Sequence, residues 1–434
     1  AASIPRSHVA PTVSIIGATL TGNRGAEAML VTSIAKVRER FPGAKFFIHS
    51  YFPDEDRALT DDPAVEIVDA SPVALVLQYF PASVAERAVR TVGLKLPGFV
   101  LPAGPRGLRD SDMLLDVFGV SYNDGREKFL PFNVLSNWPA MLMGTPVVKL
   151  SQGMGTYNHP VTRAVGKWML GRCRRVFARG KESLKMATDV GLGPVLGYAP
   201  DIAFLYEPSH SLSEENPDYS EAVAADLAKR KAAGGRILIF SLSAVVEKKV
   251  NASGQDYIAE MASIVDAMLE RGLTVVLLPN ANREGVASRH NNDIPVVEAV
   301  EARVQHPAAG EHLIALRRGL NAGGLREVIR EADYMVASRF HAMIAGLALG
   351  VPTLVLGWSH KYREILAMFG LQDWAYDFSE LDVKVLVKRI DELIEGAATL
   401  RENIANNIER VNGEAQAQFD WLADALRAAP SARS

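Results

Sequence analysis

Short β-branched apolar runs alternate with segments of helical spacing along most of this chain. Residues 12–17 read as a strand. After Gly25, the apolar residues Ala28, Leu30, Val31, Ile34 and Val37 follow a helical period, and residues 45–50 supply the next strand. The alternation continues to about Phe204 and predicts a parallel sheet covered on both faces. Residues 207–235 interrupt it with Pro208, a Ser/Glu/Asn/Pro/Asp run and a polar helix ending at Gly234-Gly235, the pattern of an interdomain connection. A second α/β series starts at 236–241 and runs through a helix at about 257–270, a strand at 273–278, a helix near 325–331 and a strand at 334–337. A final helix, about 400–428, is expected to pack back on the first domain. The expected division is therefore 12–206 with an amphipathic insertion at about 70–109, 207–235 as linker, 236–399 as second domain, and 400–434 as the returning segment. The fold class expected is α/β, two Rossmann-like domains facing a cleft, the GT-B type.

The richest chemistry follows the strand at 334–337. Ser338-Arg339-Phe340-His341 opens a helix that stops at Gly350-Val351-Pro352, a buried strand reads over 353–358, and Lys361 lies twenty residues beyond His341. Open α/β sheets bind ligands at the carboxyl ends of their strands, where a helix start offers backbone N–H groups to an anion. An arginine, a histidine and a lysine brought there suit a small polyanion that also needs a proton.

These residues resemble the polysaccharide pyruvyltransferase family, and the likeness extends over most of the chain. Gly22-Asn23-Arg24-Gly25-Ala26-Glu27-Ala28 is similar to the family's Asn-x-Gly-Asp-Glu-Ala stretch, with Ala26 replacing the usual Asp. The segment 112–119 resembles its acidic, apolar, glycine-ended strand without the paired glycines. Ser151-Gln152-Gly153-Met154-Gly155, the segment 176–183 and Pro200-Asp201-Ile202-Ala203-Phe204 also match family patterns.

The resemblance implies transfer of a group from phosphoenolpyruvate to sugar hydroxyls, closing a ketal. It implies that Arg179, Arg339, Lys361 and Ser338 hold the donor, arginine as a bidentate fork and lysine as a point charge. His341 would protonate the enol carbon, with Lys361 assisting the departing phosphate. Asn23, Glu27, Gln152 and Asp201 fall to the acceptor. Each has a plainer alternative: helix-start packing for His341, an interdomain salt bridge for Arg179, a turn cap for Asp201, and ordinary first-turn dipole chemistry for Glu27.

Composition narrows the partners. A chain of 434 residues, 48% hydrophobic, can bury more than one core, and a net charge of −3 gives no reason to expect nucleic acid. The single cysteine, Cys173, rules out an intrachain disulfide or a cysteine metal cluster. His159, His290, His306 and His312 lack metal-ligand spacing, so no metal and no cofactor are expected beyond the donor substrate. No signal peptide is visible, and the longest apolar stretch, 342–358, is broken by Gly350 and Pro352. The expectation is a cytoplasmic enzyme, with a peripheral place at the inner face of the membrane left open.

Two features bear on that alternative. The insertion at 70–109 mixes Leu75, Leu77, Phe80, Val92 and Phe99 with Arg87, Arg90, Lys95, Arg106 and Arg109. A cover over the cleft or a dimer contact is preferred to a membrane surface or a lipid-linked glycan. The basic residues between Arg163 and Lys185 are explained equally well by a solvated helix face. Two rival functions remain: a nucleotide-sugar glycosyltransferase, with Glu364 as the nearby ribose-binding carboxylate, and a non-catalytic glycan-binding relative.

Overall fold

The computed structural model describes residues 10–357 and 360–428, apart from the side chains of His360 and Glu380. Trp358, read above as closing a strand, and the end of the 400–434 segment lie outside the described residues.

The strands of the first half are β1 (Thr12–Ile16), β2 (Gly22–Asn23), β3 (Lys45–Ser50), β4 (Val65–Asp69), β5 (Met113–Asp116), β6 (Val147–Gln152), β7 (Arg175–Ala178) and β8 (Leu196–Tyr198). Those of the second half are β9 (Arg236–Leu242), β10 (Leu273–Pro279), β11 (Ala281–Asn282), β12 (Leu313–Ala315), β13 (Tyr334–Ala337), β14 (Thr353–Gly357) and β15 (Ala375–Asp377). The chain divides into two compact units. Of the described residues, one comprises 10–19, Met29–Ile202 and 414–428; the other comprises Leu20–Ala28 and Ala203–Gly413.

The first unit is built on a seven-stranded sheet of order β4-β3-β1-β5-β6-β7-β8, every pair parallel. Its central strands are buried throughout, which explains why they read as unbroken apolar runs. The order reverses between β1 and β5, and their carboxyl ends run together. Gly17, at φ 101°, makes this possible, because a Cβ there would stand 2.5 Å from the Phe118 nitrogen. The insertion is helical: Pro72–Ala74, a π-turn at Leu75–Tyr79, Phe80–Arg90, and then Ala103–Asp110.

The second unit carries a six-stranded parallel sheet of order β12-β10-β9-β13-β14-β15, reversing between β9 and β13. The turn at Ser338 therefore leaves the sheet at its topological switch point, where such sheets bind ligands.

Three boundaries differ from the sequence reading. Residues 207–235, expected as a linker after a first domain ending at 206, belong to the second unit, which starts at Ala203; the helix Pro217–Ala232 is tied to that unit by Ser220, which donates to Glu327 at 2.8 Å. Leu20–Ala28 was expected with the first domain, yet it groups with the second unit. The reason is local: β2 pairs antiparallel with β11, and Arg24 bonds to Asn282. The last helix is one continuous element, Val383–Ala428, and starts well before residue 400. Its buried stripe of Leu386, Ile390, Leu393, Leu400 and Ile404 continues through Val411, Ala415, Phe419 and Leu422, so Gly396 and Gly413 do not stop it. Residues to Gly413 belong to the second unit and those from Glu414 to the first.

Candidate active site

β13 is buried along its length and delivers Ser338, itself buried, whose N–H donates to the Ser241 carbonyl at 3.0 Å. Arg339 is the N-cap of the helix Phe340–Ala348, with extended backbone. Its guanidinium is not directed to open space. Nε donates to Asp293 Oδ2 at 2.9 Å and Nη2 to Asp293 Oδ1 at 2.5 Å. Asp293 also accepts from the backbone N–H groups of Ala244 (2.9 Å) and Ala281 (3.0 Å). Burial works against the charge on Arg339, but the Asp293 carboxylate outweighs it and leaves the pKa above its ordinary value. Two of the five guanidinium N–H groups are thus committed to a buried carboxylate.

His341 stands one residue into that helix, edge-on to Phe340 with ring centroids 5.3 Å apart. The start of another helix, Arg24–Arg40, packs against it. A Cβ on Gly25 would overlap the Cβ, Cγ and Nδ1 of His341. Asn23 caps this helix start, its Oδ1 accepting from the N–H groups of Gly25 (3.1 Å) and Ala26 (3.4 Å).

Arg24 and Glu27 tie the same turn to the rest of the second unit. Arg24 donates to Asn282 Oδ1 through Nε (3.1 Å) and Nη2 (2.9 Å), to the Leu20 carbonyl (2.9 Å) and to Glu27 (3.2 Å), and it pairs with Glu215 at 2.6 Å. Glu27 is buried and accepts the backbone N–H of Ala322 at 3.0 Å, at the start of the helix Ala322–Arg330. Burial pushes its carboxyl up to about 7, with the Glu215 charge adding and Arg24 opposing.

Arg24, Gly25, Asn280, Ala322, Arg326 and His341 line a small cavity of about 10 Å³, room for one water molecule. Gly25, Ala322 and His341 each lie in the first turn of a helix. Three positive dipole ends and two guanidinium groups therefore border one space with an imidazole beside it. Arg326 donates to the Ala203 carbonyl at 2.5 Å and lies over the Tyr206 ring at 4.8 Å. A ligand of several heavy atoms would need these side chains to move. Lys361 is buried in the helix His360–Ala367, which follows β14, and Glu364 is buried on the same helix.

The remaining expected residues belong to the first unit. Arg179 follows β7, is buried, and pairs with the fully buried Asp201 at 3.3 Å. Its guanidinium lies against backbone: a Cβ on Gly153 would be 2.8 Å from Nη2, and one on Gly119 would be 3.6 Å from Nη1. Gln152 ends β6 with its amide used internally, donating to the Leu150 carbonyl at 3.0 Å and accepting from Ser121 at 3.0 Å.

The structure thus brings Asn23, Glu27, Ser338, Arg339, His341 and Lys361 into one unit, and Gln152, Arg179 and Asp201 into the other. Sequence reasoning passed over Arg24, Arg326 and Asp293. Arg24 stood inside a quoted motif and was detectable there; Arg326 and Asp293 stand in no motif. Among the described residues, no group of three or more His, Cys, Asp or Glu side chains is placed to hold a metal ion. Burial raises the Cys173 thiol to about 12, which leaves it unreactive.

A sequence model of the polysaccharide pyruvyl transferase family matches residues 23–360. The amylovoran biosynthesis protein AmsJ of Erwinia amylovora is 22% identical over 421 residues, covering 92% of this chain and 95% of that protein. Among solved structures, UDP-GlcNAc 2-epimerase of Neisseria meningitidis, bound to UDP-GlcNAc, aligns with a TM-score of 0.56 at 13% identity, over 95% of this chain and 100% of that one. HepE of Anabaena, in complex with UDP, aligns with a TM-score of 0.52 at 12% identity, over 95% and 100%. At such identities the likeness concerns the fold alone. With the two parallel sheets it makes this a GT-B type fold built from Rossmann-like domains.

Proposed function

This chain belongs to the polysaccharide pyruvyl transferase family, and from that premise we propose that it transfers a pyruvyl group from phosphoenolpyruvate to a sugar. The acceptor is a cell-surface glycan or its lipid-linked precursor, and the product is a pyruvate ketal with release of phosphate. The reading is supported by the place where Gly25 meets His341: three helix starts and Arg326 border one small space beside a histidine, with Arg24 held by Glu27 and Glu215 at its edge. That is an environment for an anion that must also be protonated.

In this mechanism His341 gives its proton to the methylene carbon of the donor, turning it into a methyl group and leaving the adjacent carbon cation-like. One sugar hydroxyl adds to that carbon and loses its proton. The bond from the same carbon to the phosphate oxygen then breaks, phosphate leaves with the bonding electrons, and a second hydroxyl of the sugar closes the ketal, its proton passing to the departing phosphate. Lys361 and the N–H groups of Arg339 not engaged by Asp293 meet the carboxylate and phosphate, with Ser338 beside them. Asn23 and Glu27 act by positioning, the first capping the helix that carries Gly25 and the second fixing Arg24.

Calorimetry with phosphoenolpyruvate, UDP and CMP tests the donor, using the wild type and Lys361→Ala. Lys361 is the better choice because Arg339→Ala would strand the buried Asp293 carboxylate. Selective binding of phosphoenolpyruvate, weakened at least about tenfold in the variant, is the expected result. Binding of UDP without phosphoenolpyruvate would replace this reading with sugar transfer.

A further inference from the structure

Of the twelve large apolar side chains that stand exposed among the described residues, eight lie between residues 73 and 100. That is the helical insertion of the first unit, and the concentration is not a sequence accident of a loose loop. The run Pro72–Ala74, Leu75–Tyr79 and Phe80–Arg90 forms one helical path. Leu75, Tyr79, Ser83 and Glu86 are buried on its inner side, while Val73, Leu77 and Val84 share the outer side at helical spacing. Beyond the helix, Val92, Leu94 and Phe99 continue the exposed apolar surface, and Phe99 is 89% accessible.

This outer segment is held in place from beneath. The buried Glu86 carboxylate accepts from Arg90 Nε at 2.8 Å and from the Leu96 N–H at 3.1 Å, and Arg109 donates to the Leu96 carbonyl at 2.5 Å. The apolar tip is therefore presented on a fixed base rather than left to collapse onto the unit.

Charge selects what can cover it. Residues 70–109 carry Arg87, Arg90, Lys95, Arg106 and Arg109 against Glu86 alone. Arg109 and Arg106 have carboxylates nearby, Asp110 at 2.7 Å and Glu66 at 3.9 Å, while Arg87 and Lys95 stand exposed among the apolar residues. A second copy meeting this face through a two-fold axis would set the same basic residues against each other. A membrane with anionic lipid offers both complements, negative headgroups for the basic residues and a hydrocarbon boundary for Phe99 and Leu77. No described helix is long and apolar enough to cross a membrane, so the fit is to lie in the interface. We propose that the face formed by residues 73–100 seats this protein on an anionic phospholipid surface.

Flotation of the full chain with vesicles of equimolar phosphatidylglycerol and phosphatidylcholine, against phosphatidylcholine alone, tests this. The wild type should float with the anionic vesicles and be released by added salt. The double variant Leu77→Ser, Phe99→Ser should lose at least about tenfold in partition, with thermal melting unchanged because both side chains are exposed. Lys95→Glu should weaken binding to the anionic vesicles. Phe99→Trp, still apolar, should bind, and its emission after subtraction of the wild type, which carries five tryptophans of its own, should shift to the blue on the anionic vesicles. A wild type that ignores anionic vesicles, or unchanged emission from Phe99→Trp, overturns the proposal. So does a lipid-free dimer, seen by light scattering, that the double variant dissolves, since a second copy would then be the occupant.

Discussion

The imidazole of His341 occupies the place that the side chain of residue 25 would need, so glycine at 25 and histidine at 341 are a matched pair. The first turn of one helix can approach the first turn of another this closely only when one of them lacks a Cβ. Gly25→Ala should therefore act on the histidine. Helix propensity alone would favour alanine by about 1 kcal/mol, but overpacking costs about 1–3 kcal/mol, and relief requires the ring to turn away. The expected outcome is a lower melting temperature and turnover reduced at least about a hundredfold, measured as phosphate released from phosphoenolpyruvate with acceptor present. His341→Ala should restore the stability lost in Gly25→Ala without restoring turnover. Near-normal turnover by Gly25→Ala would remove His341 from the chemistry.

Arg339 and Asp293 form a second matched pair, and the asymmetry between removing the carboxylate and neutralising it can be measured. Asp293→Ala leaves a half-buried guanidinium and two backbone N–H groups without their acceptor. Breaking one side of such a pair typically costs about 3–5 kcal/mol. Asp293→Asn keeps a carbonyl oxygen for part of this set and should cost about half as much. Urea denaturation of the two variants gives both values; equal and small losses would show that the pair is not what holds the Ser338 turn.

Glu27 should make stability depend on pH in the direction opposite to that of most carboxylates. Its folded pKa is raised to about 7 from an ordinary 4.5, so the folded protein binds more protons than the unfolded chain between those values. The stabilisation linked to that proton is fully present below about pH 4.5 and disappears as pH rises through about 7. At about 1.36 kcal/mol per unit, the whole span is of order 3 kcal/mol. Glu27→Gln should flatten the slope of unfolding free energy against pH across this window, and a variant with the wild-type slope would assign the effect to another group.

Much of this architecture is legible in the chain because it is local. Buried parallel strands announce themselves as apolar runs such as 236–241 and 273–278, and a strand followed by Ser338-Arg339-Phe340-His341 fixes which end of the sheet carries the polar groups. What the sequence hides is pairing over long separations. Nothing near Arg339 signals that Asp293, 46 positions away, will engage it. Nor does anything near Arg24 show that Asn282 and Glu215 will draw residues 20–28 into the second unit. The cation at 326 is missed for a similar reason: its neighbours in the chain are an ordinary amphipathic helix, and only folding brings it beside Gly25 and His341.

Arg179 poses the remaining question, whether a buried, paired arginine serves the donor or only the first unit. Gly153 offers a way to separate the two. An added Cβ there would come within 2.8 Å of Nη2 and 3.0 Å of Nε of Arg179, while no backbone atom stands in its way among the nearest contacts. Arg179 is buried and paired, so Gly153→Ala should cost about 1–3 kcal/mol of stability as the guanidinium gives way. A guanidinium moved by even a fraction of an ångström loses its fit to a planar anion. If the family resemblance carries over at this position, the KM for phosphoenolpyruvate rises about tenfold or more with kcat little changed. Arg179→Lys, which keeps the charge but not the fork, should show the same split. An unaltered KM in both variants would confine Arg179 to its pairing with Asp201.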